Sequence, residues 1–300
     1  MLHNDKDIFE QVILKVSEET GISSSIIEKD YYVTIFLEKI AEFQPNIIFK
    51  GGTSLSKCYK IINRFSEDID LNIDTENKIT EGQRKNLKKN IISIIDELDF
   101  VLDNANNIKS KRNYNRYIID YPTVFSSSFL KEHLIVETAV YIKAYPCKKM
   151  KATSIIYDYL NANSYSDLIN EYNLKPFELN VQTAERTFVD KLYALCDYYL
   201  SGAIQEHSRH IYDIYKLSKI VTLDDNLKQL INEVYIEREP HKQCHSAKEG
   251  VNINLLLQDI VDKNIYKNDY EEITSKMLFE DISYNTAIKA LQNIINQKLF

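Results

Sequence analysis

The stretch that most constrains the fold runs from Phe49 to Asp74, FKGGTSLSKCYKIINRFSEDIDLNID. Its last third alternates strictly. Asp68, Asp70, Asn72 and Asp74 fall on one face and Ile69, Leu71 and Ile73 on the other, the period-2 signature of a half-buried strand. Such a strand needs a sheet whose apolar side is covered. Ahead of it stand Gly51 and Gly52, in a chain with only six glycines. The apolar run Asn46 to Phe49 predicts a short strand leading into the glycines, and a helix is expected over Thr53 to Ile62.

Two familiar loops share parts of this pattern, and both fail. A Walker A loop needs G-x-x-x-x-G-K-[ST]. Counting from Gly51, Lys57 fits, but Ser56 stands where the second glycine is required and Cys58 where the magnesium-binding hydroxyl is required. An EF-hand loop starting at Asp68 would place Asp70 and Asn72 correctly. Its turn glycine would then be Ile73 and its bidentate glutamate Ile79, and a calcium loop must curl where this segment is extended.

A nucleotidyl-transfer site accounts for the whole order: strand, Gly-Gly-hydroxyl, helix, acid-x-acid strand. Two glycines let the backbone approach a triphosphate closely, and the following helix offers unpaired N–H groups. Thr53 and Ser54 are placed to add hydroxyl donors. Asp68 and Asp70 project from one face of their strand. Two carboxylates about 4 Å apart repel by roughly 4 kcal/mol at an effective dielectric of 20, and a divalent cation reverses the sign of that interaction. Magnesium, which takes carboxylate and phosphate oxygens together, suits the position. Either feature alone is equally well explained as a solvated strand face or a tight turn; their order argues for the site.

The rest of the chain reads as two parts. The segment from Asp5 to Gly21 is an amphipathic helix, and a second begins at Ser25 with an expected capping box to Glu28. A charged helix is predicted over Glu81 to Leu98, then strands in NRYIIDYP, HLIVETAVYI and FELNVQT. From about Ala184 onward the pattern is helical or loop. The expectation is an α+β fold: an N-terminal α/β domain over 1–175, with a mixed or antiparallel sheet and helices on one side, and a mainly helical domain over 176–300.

Composition narrows the class further. A net charge of −7 argues against a protein that coats nucleic acid through a basic surface all over, while leaving room for a local basic groove. Two clusters could form one: Lys109, Lys111, Arg112 and Arg116 with Tyr114 and Tyr117, and Lys143, Lys148, Lys149 and Lys151 with Tyr145. Basic residues interleaved with aromatics suit phosphates and exposed bases, and equally a solvated charged loop. The four cysteines, Cys58, Cys147, Cys196 and Cys244, show no C-x-x-C spacing and fit free thiols. His241, Cys244 and His245 offer three zinc-ligand types with no matching second pair, which favours a polar loop. No signal peptide is expected from MLHNDKDIFE, and no apolar run reaches the roughly 18 residues of a membrane span. A cytoplasmic protein is expected.

The segment KGGTSLSKCYKIINRFSEDIDL resembles the first motif of the AbiEii/AbiGii toxin family of nucleotidyltransferases, relatives of the MenT toxins within the DNA polymerase β-like superfamily. ERTFVDKLYAL (Glu185 to Leu195), SRHIYDIYKL (Ser208 to Leu217) and DYEEITSKMLFEDISYNTAIKAL resemble its later motifs. The resemblance implies that Gly51, Gly52, Thr53 and Ser54 hold the nucleotide phosphates and that Asp68 and Asp70 bind metal. It also implies a third carboxylate on a later strand, metal-binding and activating the attacking hydroxyl. Glu137, central in an apolar strand where an unpaired charge is costly, is the first choice, and Asp120 the second. Lys191 would contact the triphosphate, with Arg209 beside it. Arg209 and Asp213 share one helix face, with Asp213 a further catalytic residue or simply half of an i,i+4 ion pair.

What the resemblance implies is a Mg²⁺- or Mn²⁺-dependent toxin of a toxin–antitoxin or abortive-infection system. It would transfer a nucleotide from an NTP to the 3′ end of tRNA, act as a monomer without membrane partners, and have a cognate antitoxin. Two other readings stay open: a nucleotide- or RNA-binding module without transfer activity, and an enzyme that nucleotidylates (AMPylates) a protein hydroxyl.

Overall fold

In the computed structural model, which describes residues 1–66, 68–74, 79–127 and 132–300, seven strands form one mixed sheet. In chain order they are β1 (Ile47–Lys50), β2 (Asp68–Ile73), β3 (Val101–Leu102), β4 (Tyr114–Asp120), β5 (His133–Ala139), β6 (Cys147–Ala152) and β7 (Phe177–Gln182). Their order across the sheet is β3-β4-β5-β2-β1-β7-β6. The central strand β2 runs antiparallel to β1 and parallel to β5, and β5 runs antiparallel to β4. Glu67, included in the expected central strand, lies outside the described residues.

One face of this sheet is apolar because the alternation demands it. Ile69, Leu71 and Ile73 of β2 join Phe49, Leu134, Val136, Tyr117 and Ile119 in a single buried cluster. Helices α1 (Lys6–Thr20), α2 (Ser24–Phe43), α4 (Glu81–Glu97), α5 (Ile155–Ala162) and α6 (Ser166–Glu171) complete it with Ile13, Phe36, Ile91, Ile156 and Ile169. Each such fully buried side chain contributes about 1.5–3 kcal/mol. The sheet is therefore anchored through one face, and its other face carries the acids.

By packing, the chain divides into Met1–Tyr59 with Ser66–Val181, and Lys60–Phe65 with Gln182–Phe300. The second unit is helical, with α7 (Ala184–Ser201), α8 (Arg209–Leu217), α9 (Asp225–Arg238) and α10 (Ile253–Asp262). The short segment Lys60–Phe65 joins it through backbone bonds: Phe65 N–H to the Met277 carbonyl and Phe279 N–H to the Asn63 carbonyl.

Four details differ from the sequence reading. The helix after the glycines, α3 (Gly51–Lys57), starts at Gly51 itself and is shorter than expected. It stops near Lys60, which takes a left-handed φ of 55°. The capping box at Ser25 does not form. Helix α2 is preceded by Ser23 with no side-chain cap, and the buried Glu28 carboxylate instead accepts from the N–H groups of Val124 and Phe125. Two backbone donors otherwise left without partners outweigh one capping bond. Finally, β3 and the edge strand β6 form where no strand is expected. The exposed Lys148, Lys149 and Lys151 give β6 the charge that protects a sheet edge, which erases the apolar alternation of a strand.

Candidate active site

Strand register brings the acids together. Asp70 of β2 pairs with Lys50 of β1 on one side and Glu137 of β5 on the other, and Glu137 pairs with Arg116 of β4. Residues in direct register share a sheet face, so Lys50, Asp70, Glu137 and Arg116 form one row across four adjacent strands. Asp68 follows on the same face, in register with Ile135. Asp120, the alternative third acid, lies at the far end of β4 opposite His133, four residues along β5 from Glu137, or roughly 13 Å by strand rise.

Gly51 follows Lys50 directly and closes on this row. Its φ is +76°, and a Cβ built there would stand 1.9 Å from Asp70 Oδ2 and 2.8 Å from Asp70 Cγ. Only glycine accommodates that carboxylate. Thr53 and Ser54 act within the loop. The Thr53 hydroxyl donates to the Asp68 carbonyl at 2.5 Å and lies 2.9 Å from Ser66 Oγ, and the Ser54 hydroxyl donates to the Gly51 carbonyl at 2.8 Å. Both side chains are buried. These hydroxyls, expected to face a phosphate, instead tie the glycine turn to the acid-bearing strand. Lys57 is likewise internal, with its Nζ 2.6 Å from Asp30 Oδ1 and from Thr34 Oγ1, which removes the last element of a Walker loop.

Asn72, grouped by alternation with the acids, is buried. It donates to the Ile142 carbonyl at 2.7 Å while its own oxygen accepts from the Ile73 N–H. The acidic face is thus interrupted at Asn72, while Asp68, Asp70 and Asp74 stay partly exposed. Glu137 lies 3.5 Å from the Arg116 Nε. Burial, followed by the Glu137 charge and a hydrogen bond with Glu137, pushes the Tyr114 phenol above its ordinary range, so Tyr114 stays protonated beside that carboxylate. Among the described residues, no three carboxylate, imidazole or thiol groups converge closely enough to hold a metal ion. The acids share a face while Glu137 leans to Arg116 and Asp70 to Gly51. Their hard, anionic oxygens are nevertheless the donor set that Mg²⁺ takes.

The second unit gathers the other expected residues. Asp213 of α8 is fully buried. It accepts from Arg64 in a two-pronged pair, Nε to Oδ1 and Nη2 to Oδ2, both at 2.7 Å. Lys191 of α7 reaches Asp213 Oδ2 at 2.7 Å as well. Burial raises the Asp213 carboxyl, but Arg64 and Lys191 overcome that and hold it well below the usual carboxylate range. Burial pulls the Lys191 ammonium down, against the pull of Asp213. Arg209 opens α8 one turn before Asp213. Asp213 is thus the centre of a buried cluster that includes Arg64 and Lys191. Sequence reasoning missed Arg64, whose signal is a lone arginine between the glycine turn and the acid-x-acid strand. Tyr114 and Arg116 read in sequence as part of a basic cluster, and only the pairing of their strand with that of Glu137 aligns them with the acids.

A glycine turn packed on an acid-x-acid strand, with a further acid in register on the next strand, belongs to the nucleotidyltransferases, and this chain is one. Residues 35–296 match the profile of the AbiEii nucleotidyltransferase toxins of type IV toxin–antitoxin systems, and the chain belongs to that family. Membership implies an antitoxin partner. Among curated proteins none matches significantly. Among solved structures, the chain is similar in fold to MenT4, a nucleotidyltransferase toxin from Mycobacterium tuberculosis H37Rv, at 13% identity and a TM-score of 0.56. The match covers 95% of this chain and 88% of that one. Among the described residues, no helix is long and apolar enough to cross a membrane.

Proposed function

We propose that the protein is a divalent-metal-dependent toxin that moves a nucleoside monophosphate from an NTP to the 3′ end of tRNA in the cytoplasm, as part of an abortive response to phage. The observation that carries this reading is the contact of Gly51 with Asp70, combined with the register of Asp70 on Glu137. It sets a backbone able to approach phosphates against two neighbouring acids.

In this reading the Gly51 to Ser54 backbone receives the triphosphate, with the Thr53 and Ser54 hydroxyls holding the turn in shape. Asp68, Asp70 and Glu137 would hold Mg²⁺ or Mn²⁺, which when bound supplies charge neutralisation at the reacting phosphate and lowers the acceptor's pKa. Glu137 takes the proton of the acceptor hydroxyl as its oxygen forms a bond to the α-phosphorus. The bond from that phosphorus to the β-phosphate bridging oxygen breaks, and pyrophosphate leaves in line. Lys191 and Arg209 are assigned to the triphosphate by family resemblance. Asp213 acts by fixing Lys191 rather than by touching substrate.

The test is to incubate the protein with each α-labelled NTP, Mg²⁺, total tRNA and total cellular protein, beside Asp68→Ala/Asp70→Ala. Label in tRNA that the double variant loses supports the reading. Label on protein moves the acceptor to a side-chain hydroxyl. Nucleotide binding without label anywhere makes the chain a binding module.

A further inference from the structure

We infer that strand β4 and the loop before it form the acceptor-binding surface, and that they take a single-stranded polynucleotide end, with Arg116 on a phosphate and Tyr114 against a base. The inference rests on the nucleotidyl-transfer reading and names the residues that would select its acceptor.

The argument begins with the order of the strands. Gly51 sits at the end of β1, on one flank of Asp70, whereas β4 lies on the other side of Glu137. In an in-line displacement the attacking oxygen and the leaving pyrophosphate stand on opposite sides of the phosphorus. With phosphates on the glycine flank, the acceptor must approach from the β4 flank. There the alternation of β4 turns Tyr114 and Arg116 to the same face as Glu137, both exposed, and turns Asn115 and Tyr117 inward. Tyr114 is 42% exposed, with its phenol hydrogen-bonded to the Glu137 carboxylate, which puts an exposed aromatic side chain beside the acids.

Ahead of Tyr114 the loop carries Lys109, Lys111 and Arg112, all exposed. It is anchored, because the buried Asn115 amide donates to the Lys109 carbonyl at 3.1 Å and accepts from the Lys109 N–H at 3.0 Å. A third bond joins the Arg112 N–H to the Lys109 carbonyl. One segment thus carries four cations and an aromatic ring and ends beside Glu137, with Lys111 also 3.7 Å from Glu81 and Arg116 3.5 Å from Glu137, in a chain whose net charge is −7. Cations that track a backbone and an aromatic face that stacks a base are the two components of single-strand recognition.

Binding of a fluorescein-labelled single-stranded RNA of about a dozen nucleotides, titrated between about 50 and 200 mM salt, tests this in the full chain. NTP affinity and thermal melting serve as checks that each variant folds. For Arg116→Ala, and for Lys109→Ala/Lys111→Ala/Arg112→Ala, the affinity should fall and the slope of log K against log salt should flatten by about 0.7 per lost phosphate contact. Tyr114→Ala should weaken binding by about fivefold to a hundredfold with the slope unchanged, and Tyr114→Phe should restore it. If the wild-type protein labels RNA while every variant binds RNA as tightly as wild type, this surface is wrong and the transfer reading stands. Flattened slopes with no effect of Tyr114→Ala would mean a polyanion without base contact and overturn the single-strand assignment. A wild-type protein that neither binds nor labels RNA overturns both.

Discussion

Gly51 and Asp70 fit together so closely that a single methyl group at Gly51 would overlap the Asp70 carboxylate, 1.9 Å from Oδ2. Nothing covalent links them; the antiparallel pairing of Lys50 with Asp70 delivers the glycine to the acid. The turn and the acid-bearing strand are one packed object.

Gly51→Ala should therefore harm both the loop and the acid. The new Cβ must displace Asp70 and adopt a left-handed φ, which together should cost about 2 kcal/mol or more. Chemical denaturation should show that loss, and label transfer should fall to the level of Asp70→Ala. Gly21→Ala, at a similar φ of +71° but with nothing within 4 Å of the added Cβ, isolates the backbone strain.

Glu137→Gln should lower transfer by about a hundredfold or more, since it removes the group assigned to accept a proton beside Asp70. Asp120→Asn, opposite His133 at the other end of β4, should leave the rate within about twofold. A reversal of these two effects in a single-turnover assay would give the role to Asp120.

Much of this site was legible because it rests on local pattern. The alternation through Asp68 and Asp70 and the paired glycines each depend on residues close in sequence, and the sheet confirms β1, β2, β4, β5 and β7 near their expected places. What escaped depends on distant partners. Glu28 reads as a cap until Val124 and Phe125 offer it two N–H groups. Arg64 stands three and four positions before Glu67 and Asp68, which are the partners spacing would suggest, yet the acid it reaches, Asp213, lies 149 positions further on. Asn72 looks solvated until the Ile142 carbonyl covers it. Periodicity reports which face a residue takes, and tertiary packing decides what meets it there.

The cluster around Asp213 makes a strong stability prediction. Asp213→Asn leaves Arg64 and Lys191 buried without their shared anion and should destabilise by about 3–5 kcal/mol. Replacing all three together, as Arg64→Met/Lys191→Met/Asp213→Leu, should be less harmful than the single change, because no uncompensated charge remains. Urea midpoints of the two variants provide the comparison.

Acid sensitivity should arise partly at the N-terminal end. Burial, followed by the charge of the chain's amino group, pushes the His3 imidazole down to about 4; its Nδ1 lies 2.8 Å from the Tyr31 hydroxyl. Because the folded pKa is depressed, the unfolded chain binds the proton first, so stability falls as pH drops from about 6.5 to about 4. His207 and His210 are shifted the same way by burial. Melting temperature should decline across that window, and His3→Gln should make the decline shallower by an amount on the order of 2 kcal/mol at its acid end.

The most direct test of nucleotidyl transfer at the Gly51–Asp70–Glu137 site compares two labels in one assay. The protein is given an NTP labelled at the α-phosphate or at the γ-phosphate, with Mg²⁺ and tRNA. Transfer of the α label alone, with pyrophosphate released in equal amount and both lost in Asp68→Ala/Asp70→Ala, is the predicted result. Transfer of the γ label, or α-label transfer that survives in the double variant, would contradict it.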